Sequence, residues 1–416
     1  MFQNRACDVA VIGAGPAGLA AAIAAKKAGA ERVLIIERDT HPGGILQQCI
    51  HPGFGLSYFG KELTGPEYAY LFEKQAEEQG IEIMLDTMVL NLTGRHIAAT
   101  SPRGMIEVEA SAVVLAMGCR ERTRGAIRIP GTRAAGIYTA GTAQRLLNMQ
   151  GELVGKKIVI LGSGDIGMIM ARRMTLEGAK VETVVEVLPY LAGLTRNKVQ
   201  CLDDFNIPLR LSHTVIDITG VDRVESVTIS KVDDRREPIP GTEEVIACDT
   251  LLLSVGLIPE NEISFAAGVR LSPITKGPVV DQYMQTSVPG IFACGNVLHV
   301  NDLVDNVTRE SERAGKNAAL YTAGKLPKTA SVDVVAGTGV TYVCPQKVLC
   351  GKDDAVLFFR VRNPMKDIAL TARCGDEVIL RQKKARVSPG EMEKLILSKE
   401  KLELASGPII VCVEEE

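Results

Sequence analysis

Two glycine-rich turns that recur at a fixed spacing constrain this chain more than any other feature. The first runs Gly13-Ala-Gly-Pro-Ala-Gly18 and the second Gly162-Ser-Gly-Asp-Ile-Gly167. Each follows a short apolar run and opens a segment with helical periodicity, which predicts a strand–turn–helix unit. Five residues of the second copy each lie 149 positions after a residue of the same type in the first copy, as Gly162 does after Gly13. They are Gly162, Gly164, Gly167, Gly178 and Glu186. Such agreement predicts two nucleotide-binding units of one architecture.

The parts of each unit match the needs of a bound dinucleotide. The first glycine makes the tight turn, the second lets the backbone approach a pyrophosphate, and the third lets helix and strand pack closely. The helix start offers free N–H groups to the phosphates. An acidic residue stands 22 residues after the second glycine in both copies, at Glu37 and Glu186, where a carboxylate can accept the ribose hydroxyls. We therefore predict two dinucleotide sites, with glycine-rich turns that hold no ligand as the alternative.

Glu186 bears on the identity of the second cofactor. A carboxylate at that position repels a 2′-phosphate, which favours NADH over NADPH. Arg196 lies nearby in the sequence and keeps NADPH open. One arrangement that uses both units is a tightly held flavin and an exchanging nicotinamide nucleotide, with hydride passing between them.

Outside the two units the chain continues as an α/β pattern and then changes character. Apolar periodicity predicts a helix over residues 67–80 and another over residues 308–320. Residues 330–416 alternate apolar and polar positions, which predicts a small, mostly-β domain at the C-terminus.

Composition and charge exclude several classes of protein. The formal net charge of −3 argues against a general nucleic-acid binder. The apolar stretch 9–25 is interrupted by glycines and is shorter than the ~20 residues of a membrane span, so we predict no span and a cytoplasmic location. Ten cysteines in 416 residues are far fewer than a small disulfide-rich scaffold carries, and reduced thiols are expected.

Three further segments join the two glycine turns in a family resemblance. They are Ala116-Met-Gly118, Val255-Gly-Leu-Ile-Pro259 and Thr286-Ser-Val-Pro-Gly-Ile-Phe-Ala-Cys-Gly295. With them, residues 6–325 resemble the flavoproteins with two dinucleotide-binding domains, the pyridine nucleotide-disulfide oxidoreductase group that contains thioredoxin reductase and glutathione reductase. The resemblance implies an α/β fold of two Rossmann-like domains, one inserted in the other. The FAD domain would comprise residues 1–120 and 260–325, the NAD(P)H domain residues 121–259, and the mostly-β domain residues 330–416.

The resemblance also implies a set of cofactor-binding residues. For FAD these are Gly13, Gly15, Pro16, Ala17, Gly18, Glu37, Arg38, Gly44, Ile45, Ala116, Met117, Gly118, Gly295, Asn296, Asn306 and Val307. For the nicotinamide nucleotide these are Gly162, Gly164, Asp165, Ile166, Gly167, Glu186 and Gly256. Val307 belongs to a helix start that in the family points at the flavin pyrimidine, where the helix dipole stabilises negative charge on the reduced flavin. No metal site is expected.

Two departures from the family pattern bear on the chemistry. Asn296 stands where the family usually has the Asp that holds the FAD ribityl chain, although an amide can still donate and accept hydrogen bonds. The family's redox cysteine pairs, C-x4-C after the first ribose carboxylate or C-x-x-C in the second unit, are missing from the sequence. Cys49 is a single cysteine in the loop that in the family runs beside the isoalloxazine. It is either a reactive thiol near the flavin, and then the candidate catalytic residue, or a small loop residue without a redox role.

A narrower likeness points to multi-subunit dehydrogenases. Gly44-Ile-Leu-Gln-Gln-Cys-Ile-His51, Gly118-Cys-Arg-Glu-Arg122 and Ala293-Cys-Gly-Asn-Val-Leu-His299 are similar to segments of the flavoprotein subunits of opine, proline and hydrogen-cyanide-forming dehydrogenases, and of small reductases that accompany glycerol-3-phosphate dehydrogenases. Several such relatives carry a C-terminal iron–sulfur module. That module is absent or degenerate here, because no C-x-C or C-x-x-C pair exists among Cys344, Cys350, Cys374 and Cys412.

The leading hypothesis is an FAD-containing oxidoreductase that takes hydride from NADH and passes electrons to a partner protein or a small acceptor. Three alternatives stay open: a subunit of a dehydrogenase complex that oxidises an amine, opine or polyol phosphate, a disulfide reductase, and a non-catalytic nucleotide-binding scaffold. An oligomer is expected in solution.

Overall fold

The computed structural model describes residues 3–327 and 331–415, and the chain divides into two compact units. One unit comprises Met1–Cys119 and Pro259–Glu416, and the other comprises Arg120–Ile258. In the described ranges, no helix has both the length and the apolar character needed to cross a membrane.

A seven-stranded sheet forms the centre of the first unit. Its parallel part contains Gln3–Ile12, Val33–Ile36, Glu82–Met84, Gly104–Leu115 and Ile291–Ala293, and its antiparallel extension contains Met88–Thr93 and His96–Ser101. Gln3–Ile12 lies between Val33–Ile36 and Gly104–Leu115. Ile291–Ala293 pairs with the end of Gly104–Leu115. Because carboxyl ends of parallel strands meet at one edge, the residues that follow these strands are brought together there.

Helices cover this sheet, and two of them start earlier than the sequence predicted. They are Pro16–Lys27, Gly65–Glu78, Glu262–Ala266 and Val304–Thr322. The helix predicted over 67–80 begins at Gly65 because Thr64 and Glu67 form a capping box, in which the Thr64 N–H donates to Glu67 Oε2 at 2.8 Å. The helix predicted from residue 308 begins at Val304, and the buried carboxylate of Asp305 in its first turn accepts the Ser57 N–H at 2.7 Å.

The second unit contains a five-stranded parallel sheet. Its strands in spatial order are Ile137–Thr139, Thr250–Leu253, Lys157–Leu161, Lys180–Glu186 and Leu209–Leu211. Ile158 and Ile160 belong to the hydrophobic cluster on one face, and Val159 and Leu161 to the cluster on the other. Burial on both faces explains why the strand Lys157–Leu161 is a nearly continuous apolar run rather than an alternation of apolar and polar residues.

The remaining elements of the second unit surround that sheet. Its helices are Arg124–Ile127, Ala140–Gln150, Asp165–Leu176 and Thr195–Cys201. An antiparallel sheet is formed by His213–Thr219, Ser226–Lys231 and Glu244–Ala247. Short strands and single helical turns elsewhere in the chain are Gly44–Gln48, Pro52–Phe54, Leu63–Thr64, Cys119–Glu121, Asp203–Phe205, Leu257–Pro259 and Gly295–Val297.

Residues 331–415 form two sheets that share one hydrophobic core, as the alternating pattern predicted. The larger sheet has the order Lys347–Leu349, Ser331–Ala336, Ile409–Glu415, Met365–Cys374 and Glu377–Val387. The smaller sheet, called the C-terminal three-stranded sheet below, has the order Val340–Cys344, Ala355–Val361 and Glu393–Leu397. Leu357 and Phe359 of the smaller sheet and Leu370 of the larger one belong to the shared core. A single short helix, Lys399–Glu403, interrupts the strands described here.

Candidate functional site

The first glycine turn is built so that two of its glycines cannot carry a side chain. Gly13 has a φ of +102°, and a Cβ there would lie 2.6 Å from the Ala116 carbonyl oxygen. A Cβ on Gly18 would lie 1.8 Å from the Gly13 carbonyl oxygen. A Cβ on Gly15 would meet no atom of the described chain within 4 Å. The turn is therefore closed on the protein side and open at Gly15, where a ligand can approach the backbone.

The helix Pro16–Lys27 starts at this opening. Gly15 is its N-cap, and the described residues supply no side-chain cap for it. Pro16 occupies the start of the helix, where its fixed φ is already helical, and Ala17 is buried. The N–H groups of the first turn and the positive end of the helix dipole thus remain available beside Gly15, which suits a pyrophosphate.

The buried carboxylate of Glu37 is held in place by two backbone N–H groups. Its Oε2 accepts from the Ala14 N–H at 2.6 Å and its Oε1 from the Asp39 N–H at 2.8 Å. A carboxylate offers about four acceptor positions, so about two remain for ribose hydroxyls. The Arg38 side chain is 62% exposed, and its guanidinium lies 3.9 Å from the Glu260 carboxylate.

The loop after Glu37 folds back over the turn. The Gly43 N–H donates to the Ala14 carbonyl oxygen at 2.8 Å. Gly44 has a φ of +55°, and a Cβ there would lie 3.0 Å from the Gly15 Cα. Ile45, the next residue, is exposed. The structure therefore places Gly44 and Ile45 beside the open glycine.

Two further strand ends reach the same edge of the sheet. A Cβ on Gly295, whose φ is +73°, would lie 2.7 Å from the Ala17 Cβ. Asn296 donates from Nδ2 to Cys119 Sγ at 3.6 Å, and its Oδ1 accepts from the Asn301 N–H at 3.0 Å. The amide that replaces the family's usual Asp thus joins the two strand ends. Cys119, its partner, directly follows Ala116, Met117 and Gly118, the three residues after the strand Gly104–Leu115.

The start of the helix Val304–Thr322 is anchored by a carboxylate that the sequence did not single out as a contact. Asp305 is buried, and it accepts the N–H groups of Gly55 at 3.0 Å, Ser57 at 2.7 Å and Tyr58 at 3.1 Å. Residues 55–58 therefore lie against the first helical turn. The predicted FAD ligands of that turn follow directly: Asn306 is half-buried and Val307 is buried.

The second glycine turn repeats the construction of the first. Gly162 has a φ of +102°, and a Cβ there would lie 2.1 Å from the Ser254 carbonyl oxygen. A Cβ on Gly167 would lie 2.6 Å from the Gly162 carbonyl oxygen. Gly164 is the N-cap of the helix Asp165–Leu176, and again no side chain in the described part of the chain caps it. Gly164 is less open than Gly15, because a Cβ on it would lie 3.4 Å from Ser254 Oγ. The two closed glycines and the uncapped helix start, at the same offset, support a second phosphate-binding turn.

Glu186 is held as Glu37 is, with one additional donor. Its Oε2 accepts from both the N–H and the Oγ–H of Ser163, each at 2.8 Å, and its Oε1 accepts from the Leu188 N–H at 2.9 Å. Ser163 and Leu188 stand 149 residues after Ala14 and Asp39, so the repeat extends to the groups that fix the carboxylate. About one acceptor position is left on Glu186 for a ribose hydroxyl.

Three other residues of the second unit were predicted to bind the nicotinamide nucleotide: Asp165, Ile166 and Gly256. Asp165 Oδ1 accepts from the Leu194 N–H at 2.8 Å and from Asn197 Nδ2 at 2.7 Å, so this carboxylate fixes the loop that follows Glu186. Ile166 is half-buried in the helix start. Gly256 is exposed with a φ of +98°.

The surroundings of Cys49 disfavour a thiolate. Its side chain is 8% exposed, its Sγ–H donates to the Ile45 carbonyl oxygen at 3.2 Å, and burial raises the pKa of the thiol to about 12. Disulfide exchange requires a thiolate, which such a group does not supply near neutral pH. All ten cysteines lie within residues 3–327 and 331–415, and none forms a disulfide there. The structure favours the interpretation of Cys49 as a loop residue without a redox role.

We expect Cys49 to resist alkylation in the folded protein. At about pH 8 its thiolate fraction is roughly 1000-fold below that of an exposed cysteine, and the labelling rate should rise steadily as the pH approaches 10. Mass spectrometry after timed iodoacetamide exposure measures each cysteine separately, with the half-buried Cys350 and Cys374 as internal references. Preferential labelling of Cys49 at about pH 8 would restore it as a catalytic candidate.

Among the residues that the structure describes, no group of three or more His, Cys, Asp and Glu side chains is placed to hold a metal ion.

Comparison with known proteins decides the family. The pattern of the pyridine nucleotide-disulphide oxidoreductase family matches residues 7–318. The chain belongs to this family. Its members are FAD-containing, NAD(P)H-dependent oxidoreductases with two Rossmann folds, so the predicted fold class and class of enzyme are confirmed.

Relatives of this oxidoreductase span different activities. An opine oxidase subunit of Rhizobium meliloti is 27% identical over 314 residues, which cover 70% of this chain and 58% of that protein. The thioredoxin reductase of Listeria innocua is 27% identical over 327 residues, which cover 77% and 95%. The crystal structure of T. acidophilum thioredoxin reductase matches with a TM-score of 0.63 at 26% identity, over 77% of this chain and 99% of that chain. The chain spans about three fifths of the length of the opine oxidase subunits it matches.

Proposed function

We propose that this oxidoreductase holds FAD on its first glycine turn, binds NADH on its second, and passes electrons to an acceptor without a redox disulfide of its own. The observation that carries the proposal is the pairing of two complete dinucleotide cradles with ten cysteines of which none forms a disulfide in the described ranges. FAD would supply the hydride-accepting centre. The protein's own contribution is to bind and orient the two nucleotides.

The residues of the first turn fit FAD. Closed contacts at Gly13 and Gly18 and open space at Gly15 form a cradle that a side chain would fill. The fixed Glu37 carboxylate keeps acceptor positions for a ribose, and the segments around Ala116 and Gly295 reach the same edge of the sheet. On this basis we assign the predicted FAD set to the cofactor, with Arg38 as a member whose side chain is mostly exposed.

NADH is the proposed second substrate because of Glu186. Its buried carboxylate lies beside the second turn, where a 2′-phosphate would meet a negative charge. The exposed Arg196 at the start of the helix Thr195–Cys201 favours NADPH.

We expect the ratio of kcat/KM for NADH to that for NADPH to be roughly 10 or more, because juxtaposed like charges cost ~1.4 kcal/mol or more. Arg196→Ala should lower the residual NADPH activity and leave the NADH activity unchanged. Arg235→Ala, another exposed arginine of the same unit, is the control and should alter neither. Steady-state rates with a dye acceptor provide the measurement, and equal use of both nucleotides by the wild type would overturn the assignment.

A second candidate function is electron transfer within a larger dehydrogenase, of which this chain would be one component. The likeness to the opine oxidase subunits favours it. Co-purification of the tagged chain with a second flavoprotein supports this candidate, and full activity of the isolated chain with a physiological small acceptor opposes it. The likeness of this chain to thioredoxin reductases favours the disulfide-reductase alternative. Burial of Cys49 opposes it, because it disfavours a reactive thiol at the predicted position.

A further inference from the structure

A buried hydrogen bond between a histidine and a glutamate lies next to the first glycine turn and outside the predicted cofactor set. His299 Nε2 and Glu310 Oε2 are 2.7 Å apart, and each side chain is 1% exposed. His299 follows the single helical turn Gly295–Val297, and Glu310 lies in the helix Val304–Thr322. Burial of a carboxylate is costly unless hydrogen bonds satisfy it, so the partners of this pair show what it holds in place.

The pair holds the backbone of Gly295. The second oxygen of Glu310, Oε1, accepts the Gly295 N–H at 2.7 Å. Gly295 itself is pressed against the start of the first helix, since a Cβ there would lie 2.7 Å from the Ala17 Cβ. The Glu310 carboxylate therefore fixes the position of the Gly295–Asn296 backbone relative to the first glycine turn.

The other side of His299 contacts the C-terminal three-stranded sheet. Tyr342 Oη lies 3.4 Å from His299 Nδ1, and the two rings meet edge to face with centroids 5.9 Å apart. With Nε2 donating to Glu310, Nδ1 is the acceptor that a tyrosine hydroxyl can satisfy. The ring of Phe358 lies 6.1 Å from the imidazole. Strands that are distant in sequence thus contact the group that orders Gly295.

Neighbouring contacts extend the same link along residues 299–302. The Arg360 guanidinium donates to the Val300 carbonyl oxygen at 3.1 Å and to the Pro389 carbonyl oxygen at 2.9 Å. The Met392 N–H donates to Asp302 Oδ2 at 3.2 Å. The segment between Asn296 and the helix start at Val304 is therefore held by the C-terminal part of the chain.

We propose that His299 is a positioning residue through which the C-terminal three-stranded sheet sets the geometry of the flavin site. The chain of contacts runs from Tyr342 through His299 and Glu310 to the Gly295 N–H. The inference rests on the proposed function, because it takes the first glycine turn as the FAD site. It gives residues 331–415, which carry no predicted cofactor ligand, a role in holding FAD.

The test compares FAD binding and the spectrum of bound FAD in three variants. His299→Leu removes the donor to Glu310 and should raise the FAD dissociation constant roughly 10-fold or more and shift the visible circular dichroism of the flavin. His299→Gln keeps an N–H donor and should recover most of the affinity and the wild-type spectrum. Tyr342→Phe keeps the ring and removes only the hydroxyl, and it should raise the dissociation constant by a few-fold.

The matched control is Tyr283→Phe. Tyr283 Oη donates to Asp353 Oδ2 at 2.8 Å, so this change also removes one part-buried hydroxyl bond to the C-terminal part of the chain, but that bond does not lead to Gly295. FAD affinity and spectrum should stay at the wild-type values. If His299→Leu yields no folded protein, the comparison of FAD affinity between Tyr342→Phe and Tyr283→Phe decides whether the inference holds.

The outcomes separate this inference from the proposed function. Wild-type protein that takes up no FAD contradicts the proposed function and the inference with it. A second outcome overturns the inference alone. In it the wild-type protein binds FAD, and the His299→Leu variant has unchanged affinity. The Tyr342→Phe and His299→Gln variants are then indistinguishable from Tyr283→Phe. Loss of thermal stability in all variants without a change in the flavin spectrum also overturns it, because that is the result of a purely structural role.

Discussion

Alanine at Gly18 is expected to release FAD, whereas alanine at Gly167 is expected to leave FAD bound and remove reduction by NADH. A Cβ on Gly18 would lie 1.8 Å from the Gly13 carbonyl oxygen, and a Cβ on Gly167 would lie 2.6 Å from the Gly162 carbonyl oxygen. Each change forces helix and turn apart where a phosphate is proposed to bind. Overpacking of this kind costs ~1–3 kcal/mol, which corresponds to a loss of affinity of roughly 5- to 150-fold.

The two variants are measured by fluorescence titration with FAD and by anaerobic mixing with NADH. Gly407→Ala is the control, because a Cβ there would meet no atom of the described chain within 4 Å. Its FAD affinity and its reduction by NADH should equal those of the wild type. Normal FAD affinity in Gly18→Ala would contradict the assignment of the first turn, and normal reduction by NADH in Gly167→Ala that of the second.

Asparagine at Asp305 is expected to destabilise the first unit by about 2–4 kcal/mol. The buried carboxylate accepts three backbone N–H groups, from Gly55, Ser57 and Tyr58. An amide presents N–H groups to part of that set and leaves buried donors unpaired, which costs more than the loss of an average hydrogen bond. The midpoint of thermal unfolding should fall by roughly 5–10 °C. Proteolysis should cleave first within residues 55–58.

Differential scanning calorimetry and limited proteolysis followed by mass spectrometry measure these effects. Glu78→Gln is the matched control, since Glu78 is an exposed carboxylate whose partner Lys74 lies 3.9 Å away. Its effect should stay within about 0.5 kcal/mol. An Asp305→Asn midpoint within about 1 °C of the wild type would show that the carboxylate does not anchor this segment.

Much of the nucleotide architecture is predictable from the sequence because its determinants are local. A positive φ at Gly13 and close backbone contacts at Gly18 leave glycine as the residue that fits, and the same holds at Gly162 and Gly167. The repeat at an offset of 149 residues extends in the structure to the N–H donors that fix Glu37 and Glu186. The assignment of cofactor ligands at these positions stays a prediction that the variants above test.

The parts that sequence reasoning missed depend on contacts between distant residues. Asp305 reads as an ordinary acidic residue of a helix start, and its partners lie about 250 positions earlier in the chain. His299 appeared in a motif, but its contact with Tyr342 requires the C-terminal strands to be in place. Cys49 was a candidate thiol because of its place in the loop after Glu37. The sequence shows neither its burial nor the resulting rise in its pKa. Helix starts at Gly65 and Val304 shifted for the same reason, since capping and tertiary contacts set them.

The measurement that tests the account most directly is an anaerobic titration of the FAD-reconstituted protein with NADH. The visible flavin absorbance should bleach, and the endpoint should come at one equivalent of NADH per FAD, because the flavin is the one two-electron acceptor proposed for this chain. A second equivalent consumed per FAD, with two thiols newly available to alkylation, would reveal a redox disulfide and contradict the account. Absence of bleaching with both NADH and NADPH would contradict the proposed function altogether.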